Sequence, residues 1–335
     1  EFVKKKKITH RLIAAECGVA CSTVTRVLTG AQNVAPSTRA FILETARKLG
    51  YHTTKREKRA VLIAVVYAWI SVRNVYDTQL VEMLERAVHA KGWELVLVSQ
   101  DSLSIFKDWI FSGIISIAYN KEIEKLLAEK NNMPIVTINS FSSHMEQIYS
   151  TYSDDEATIA KGIAYLKQLG HSRIVVFSRT PSSMSFIEKK RYHAARRNMP
   201  EDSENYVIIE STAQLKAELH LAKSNGFTAG IIMIEMMPIL LQHIFDTLDF
   251  KIPDDFSLIV KDIGGMFQYL KPAPTTFEQN LKVLAQNAVD MIEEIRNGKA
   301  SQVRDRTVEN IFHPRETTIP LPPQKRTGTG NPQNA

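Results

Sequence analysis

A small all-α helix-turn-helix module joined to an α/β core of doubly wound parallel sheets is the fold class that this 335-residue sequence predicts. Three observations carry the prediction. Residues 9–51 repeat apolar side chains at helical spacing around a glycine turn. After the charged run from Lys55 to Arg59 the composition switches abruptly to a continuous apolar segment, 61–67. Beyond it, short apolar runs alternate with helical patterns, as expected of strands buried on both faces and joined by crossover helices.

In the N-terminal module, Ile13, Ala14 and Cys17 give a first helix its buried face, Gly18 makes the turn, and Val24, Val27 and Leu28 anchor a second helix. The opposite face of the second helix carries Cys21, Ser22, Thr25 and Arg26. Short polar groups with one guanidinium suit a helix whose backbone must approach base edges in a major groove. Pro36 fits the first turn of a third helix, Phe41, Ile42, Ala46 and Leu49 recur at helical spacing, and Gly50 ends it. Charge follows the same division. Residues 1–60 hold 13 Lys or Arg against 4 Asp or Glu, while the whole chain carries only +6. A basic module on a near-neutral body is the footprint of phosphate neutralisation. The run Lys4 to Lys7 is read as a solvated tail or expression remnant. Two cysteines, Cys17 and Cys21, are too few for a disulfide framework and, with His10, make a poor metal site, so no metal or cofactor is expected.

In the core, strands are expected at 61–67, 93–98, 113–117, 134–138, 173–177, 206–209, 229–234 and 256–260, and helices at 78–91, 122–130, 156–169, 185–198, 213–224, 238–248 and 281–297. Ligands of such sheets bind beyond the carboxyl ends of the strands. Residues 320–335, rich in Pro, Gly, Asn and Gln, are expected to be disordered. No apolar run is long enough to span a bilayer and no apolar signal core follows the lysines, so a cytoplasmic protein is expected. Without a Gly-rich phosphate loop, metal-spaced histidines or a Ser nucleophile elbow, an enzyme is not expected.

Several motifs together resemble the lactose-repressor (LacI/GalR) family. Cys17-Gly18-Val19-Ala20-Cys21-Ser22-Thr23-Val24-Thr25-Arg26-Val27-Leu28 echoes the family's headpiece, and Asn33-Val34, Thr38-Arg39 and Leu49-Gly50-Tyr51 continue the match. In the core, Leu169-Gly170-His171-Ser172-Arg173-Ile174, Ile252-Pro253-Asp254-Asp255-Phe256-Ser257-Leu258, Pro274-Thr275-Thr276-Phe277 and Arg315-Glu316-Thr317 are similar to later family motifs. The resemblance implies a core like a periplasmic sugar-binding protein and a homodimer on a near-palindromic operator, expected to act as a repressor on the bacterial nucleoid. It implies base-reading positions at Cys21, Ser22 and Arg26 and backbone-positioning residues at Thr9, Thr23, Thr25, Asn33 and Arg39. Arg26 is equally suited to a guanine and to a phosphate.

The domain division expected is a headpiece at 1–51, a short basic hinge at 52–60 and a two-lobed core at 61–319, with lobe 1 at 61–150 and 278–302 and lobe 2 at 151–276 and 303–319. Two segments depart from the family. The hinge is shorter and lacks the leucine that wedges DNA, leaving Lys55, Arg56, Lys58 and Arg59 as a phosphate-tracking stretch or a solvated tether. In the effector pocket the family's Arg-x-x-Gly-Tyr is Glu188-Lys189-Lys190-Arg191-Tyr192, and its Asn-Asp pair falls on Ile234-Glu235. Tyr76, Asp77, Asp154, Glu188, Glu235 and Asp262 are the effector-binding candidates. So acidic a set favours a cationic or heavily hydroxylated ligand, because buried carboxylates are costly unless paired. The alternatives are that Glu188 and Glu235 face solvent or pair with Lys189, Arg191 or Lys261, and that the core has lost small-molecule sensing. Dimer contacts are expected from helices 78–91 and 281–297, whose apolar faces serve intradomain packing equally well.

Overall fold

The structure is a computed structural model that describes residues 9–28, 34–49, 61–67, 75–108, 111–118, 125, 133–139, 148–179, 186–199, 206–209, 211, 213–299 and 304–321. It divides into two compact units, residues 1–61 and 62–335. The expected helix 122–130 apart from residue 125, the basic hinge, Lys4 to Lys7 and all but the first residues of the expected disordered tail lie outside the described residues.

The first unit contains α1 (His10–Cys17), α2 (Cys21–Leu28) and α3 (Pro36–Lys48). Thr9 caps α1, its hydroxyl accepting from the Leu12 amide at 3.4 Å, and Gly18 ends it at φ 65°, a left-handed conformation that glycine enters without steric cost. Ile13, Val24, Val27, Leu28, Ile42 and Ala46 close the core between the helices. Phe41, expected to share that role, is 53% exposed. Neighbours on a helix point about 100° apart, and Ile42 holds the inward position.

The second unit begins with β1 (Leu62–Tyr67), α4 (Val75–Ala90), β2 (Glu94–Ser99), α5 (Ile105–Asp108), β3 (Gly113–Ser116), β4 (Ile135–Ile138) and β5 (Tyr149–Ser153). It continues with α6 (Asp155–Gln168), β6 (Ile174–Arg179), α7 (Phe186–Asn198), β7 (Tyr206–Ile209), α8 (Leu215–Ser224), β8 (Ala229–Ile232), α9 (Pro238–Thr247) and β9 (Ser257–Asp262). It closes with β10 (Thr275–Glu278), α10 (Leu281–Arg296), β11 (Asp305–Val308) and β12 (Ile311–His313).

Among the described residues two six-stranded sheets result, ordered β11-β5-β4-β3-β1-β2 and β12-β10-β9-β8-β6-β7. All pairings are parallel except β10 with β12. The chain therefore passes between lobes after β5, after β10 and after β11. The expected boundaries need adjustment here: residues 305–308, assigned to lobe 2, pair with β5 and belong to the first sheet, as does β5 itself. The three-residue strand β12 has no counterpart in the expected element list; its ladder with β10 defines it.

Parallel strands carry helices on both faces, and their inward runs are apolar throughout: Ile63 to Val66 and Leu258 to Val260 are fully buried. Phe177, Phe256 and Phe250 pack one side of the second sheet and Phe277 the other. Helices α4 and α10 pack against each other, with Leu80, Leu84 and Val88 of α4 and Leu284, Ala288 and Ile292 of α10 buried. The Lys91 ammonium clamps them from the edge, 2.9 Å from Asp290 and 2.7 Å from Glu293. The apolar faces offered as a dimer surface thus serve intradomain packing.

Candidate nucleic-acid interface and effector cleft

Burying Val24, Val27 and Leu28 turns Cys21, Ser22 and Arg26 outward, all three exposed on one side of α2, with Thr23 and Thr25 half-buried at its flanks. Ala20 accepts the Thr23 and Val24 amides through its carbonyl, at 2.9 and 3.2 Å, and offers no side-chain cap. The Thr25 hydroxyl lies 3.0 Å from the Cys21 carbonyl and 3.1 Å from His10 Nδ1. Arg39 sits half-buried on α3. Asn33, Lys55 and Arg56 lie outside the described residues. An exposed helix face of small polar side chains and one arginine, on a three-helix core, has the form of a major-groove reader.

The second site is assembled at the carboxyl ends of the strands. Asp155, at the start of α6, is buried, and both Nε and Nη2 of Arg191 from α7 donate to its Oδ2 at 2.6 Å. Arg191 Nη1 reaches the Met233 carbonyl at 3.4 Å, and Asn310 donates to Asp155 Oδ1 at 3.1 Å. Burial works to raise the Asp155 pKa, but Arg191 and then Lys261 outweigh it and hold the carboxylate below its ordinary range. Lys261 on β9, its side chain 1% exposed, donates to Glu235 at 3.0 Å. Against the cost of desolvation, Lys261 and Arg191 hold Glu235, its side chain 43% exposed, below the usual carboxylate range. Across the cleft, Tyr76 of α4 receives a hydrogen bond from Asn139 Nδ2 at 2.5 Å, and burial with Glu235 opposite drives its pKa upward. Asn139 itself sits at φ 51° and accepts from the Ser153 amide at 2.8 Å.

The candidates from sequence distribute unevenly. Tyr76 and Glu235 face one another electrostatically, and Asp77 is buried in the first turn of α4. Asp262 is fully buried at the end of β9; its Oδ2 accepts from the Phe267 amide at 3.4 Å, and Oδ1 has no partner among the described residues. Burial pushes its pKa up. Asp154 is occupied otherwise: its Oδ1 caps α6, accepting from the Ala157 amide at 2.9 Å. The Glu188 side chain lies outside the described residues. Sequence reasoning omitted Asp155 and Asn139 from the site and named Arg191 and Lys261 only as partners for Glu188 or Glu235. The available signal was Arg191 standing at the family's glycine position.

A sequence family described as bacterial regulatory proteins, lacI family, matches residues 11–54, and the periplasmic binding protein-like domain matches residues 163–318. The chain carries a LacI-type DNA-binding domain followed by a periplasmic-binding-protein-like domain. The first match spans most of α1 with α2 and α3, and the second runs from within α6 to the end of the core, taking in α10 and β11 of the first lobe. The HTH-type transcriptional regulator MalR of Streptomyces coelicolor is 26% identical over 316 residues, covering 86% of this chain and 91% of that protein. Catabolite control protein A of Streptococcus mutans is 22% identical over 93% of this chain and 98% of its own length. Among solved structures, the lac repressor dimer bound to operator and the anti-inducer ONPF shares the fold with a TM-score of 0.73 at 19% identity, covering 94% of this chain and all of that one. The CelR–cellobiose complex does so at 0.65 and 17%, over 93% of this chain. The LacI-family relatives are transcription regulators, and among the described residues no helix is long and apolar enough to cross a membrane.

Proposed function

We propose that this LacI-family protein is a sequence-specific transcription repressor that binds a near-palindromic operator as a homodimer and is modulated by a small, uncharged, hydroxylated ligand in the core cleft. The observation that carries the DNA-binding part is the exposed Cys21, Ser22 and Arg26 face of α2 above buried Val24, Val27 and Leu28. The basic charge of residues 1–60 supports it. The ligand class rests on charge balance in the cleft. Glu235, one of the acids that pointed to a cationic ligand, already holds Lys261, and neighbouring Asp155 holds Arg191, so this part of the negative charge is balanced from within. Hydroxyl groups fit the remaining capacity: Tyr76, the unpartnered Asp262 Oδ1 and the ion-paired edges all exchange hydrogen bonds with an uncharged polyol. The cellobiose-bound CelR supports the same class.

Selection of bound DNA from a random pool at near-physiological salt, followed by titration of the winning site, tests the DNA reading. A two-fold symmetric site bound at least about a thousandfold above bulk DNA is expected; binding that is salt-sensitive and indifferent to sequence overturns it. Calorimetry with cellobiose, maltose, ribose and spermidine then tests the ligand class. The same ion pairs favour a second reading, a DNA-binding dimer whose core senses nothing, and heats at baseline for all four probes favour that reading.

A further inference from the structure

The contact between α1 and α2 at His10 and Thr25 assigns a role that sequence reasoning left unfilled. Cys21 O can only accept, so the Thr25 hydroxyl, 3.0 Å away, donates its single proton there. A hydroxyl has one proton. His10 Nδ1, 3.1 Å from the same oxygen, therefore supplies the donor in that contact, which places a hydrogen on Nδ1. A helical threonine divides between two rotamers because its hydroxyl can bond back to the preceding turn. Here the contacts with Cys21 O and His10 Nδ1 select one. Phosphate oxygens accept and do not donate, so a Thr25 whose proton is committed to Cys21 cannot serve as the phosphate anchor that its position suggests. Its remaining asset for a groove is the methyl group, which suits a thymine methyl.

We propose that His10 is a positioning residue of the DNA reader: its Nδ1–H holds Thr25 in the rotamer that withholds the hydroxyl and presents the methyl to base edges. His10 acts through Thr25. The inference rests on the DNA-binding reading above.

The test is a double-mutant cycle on the full chain, with operator affinity read by fluorescence anisotropy on the selected site and on scrambled DNA. His10→Leu is expected to weaken operator binding by about three- to tenfold, with scrambled-DNA binding and the salt slope unchanged. His10→Asn, whose side-chain amide places a donor near the position of Nδ1, is expected to recover most of the loss, and His10→Gln is not. In a Thr25→Val background, which keeps the methyl, His10→Leu is expected to cost nothing further. Equal losses in both backgrounds would mean that His10 touches DNA itself and would overturn the proposal, as would an unchanged affinity. A loss matched by a lower thermal midpoint and not rescued by Asn also overturns it, since the role would then be structural. If the wild type finds no specific site, the DNA-binding reading has failed first, and the proposal falls with it.

Discussion

Arg191 and Asp155 meet through two nitrogens on one carboxylate oxygen, each at 2.6 Å, with the acid 2% and the base 11% exposed at their side chains. Such a pair costs desolvation on both sides, and losing one partner strands the other charge. Arg191→Met is therefore expected to destabilise the core by about 3–5 kcal/mol in urea unfolding at neutral pH. Asp155→Asn combined with Arg191→Met is expected to cost much less than the sum. Additive losses would show that the two side chains are not coupled in solution.

Acid should dissolve the same arrangement. The folded-state pKa values of Asp155 and Glu235 lie below their unfolded ones, so their stabilisation is whole above the ordinary carboxylate range and is lost as pH falls through the folded values. His171 works at a higher window. Burial lowers its pKa against the opposing Ile319 carbonyl, so the unfolded chain takes up a proton first and stability falls as pH drops below about 6.5. Urea midpoints measured from pH 8 to pH 3 should show two successive declines. His171→Gln is expected to flatten the first, and the Arg191→Met, Asp155→Asn double variant the second.

Asp262 behaves in the opposite sense. Its raised pKa means that the folded state holds the proton more tightly than the unfolded chain, so this group costs stability as pH rises through the folded value. Asp262→Asn is expected to raise the urea midpoint at pH 7 and leave it unchanged at pH 3, while removing the heat of binding of any cleft ligand. A midpoint that falls at pH 7 would show that the carboxylate is paired in solution.

Arg26 decides between two contact classes. If it reads a guanine, Arg26→Ala is expected to cost about 1–3 kcal/mol on the operator and to relax preference at one base pair, with the salt slope preserved. A uniform loss across sequences, with the salt slope reduced by about one, would assign it to a phosphate instead.

Gly264 lies at φ 69°, and a Cβ there would collide with the side-chain amide of Gln79 on α4. Gly264→Ala is expected to lower stability by about 1–3 kcal/mol, part from the left-handed backbone and part from the collision. Adding Gln79→Ala should return the second part only. Full recovery would mean that the backbone conformation carries no cost.

Much of this molecule was legible because the chain marks its own transitions. Gly18 and Pro36 punctuate the headpiece, and runs such as Ala229–Ile232 are too short and too apolar for anything but buried strand. Faces within a helix were harder: the spacing admitted both Phe41 and Ile42, and only packing against Val24 and Val27 chose between them. In the cleft, Asp154 and Asp155 are adjacent and chemically identical, yet one caps α6 and the other holds Arg191. That division depends on where the α6 axis points, which no pattern of residue types encodes. Arg191 was visible as an oddity at a glycine position, but its partner lies 36 residues away in the chain. β12 escaped notice because three residues carry no period, and its identity comes from the β10 ladder.

The threefold passage between lobes governs how the chain must be made. The first sheet needs β11, synthesised after β6 to β10 of the second lobe, and its α4 face stays uncovered until α10 emerges. A ribosome therefore releases the first lobe with its apolar surface waiting for nearly the entire polypeptide, a long-range closure that slows assembly and leaves sticky intermediates. Premature stops anywhere before residue 305 forfeit the edge strand of the first sheet. Truncated polypeptides should thus yield insoluble product and no half-functional fragment of the core.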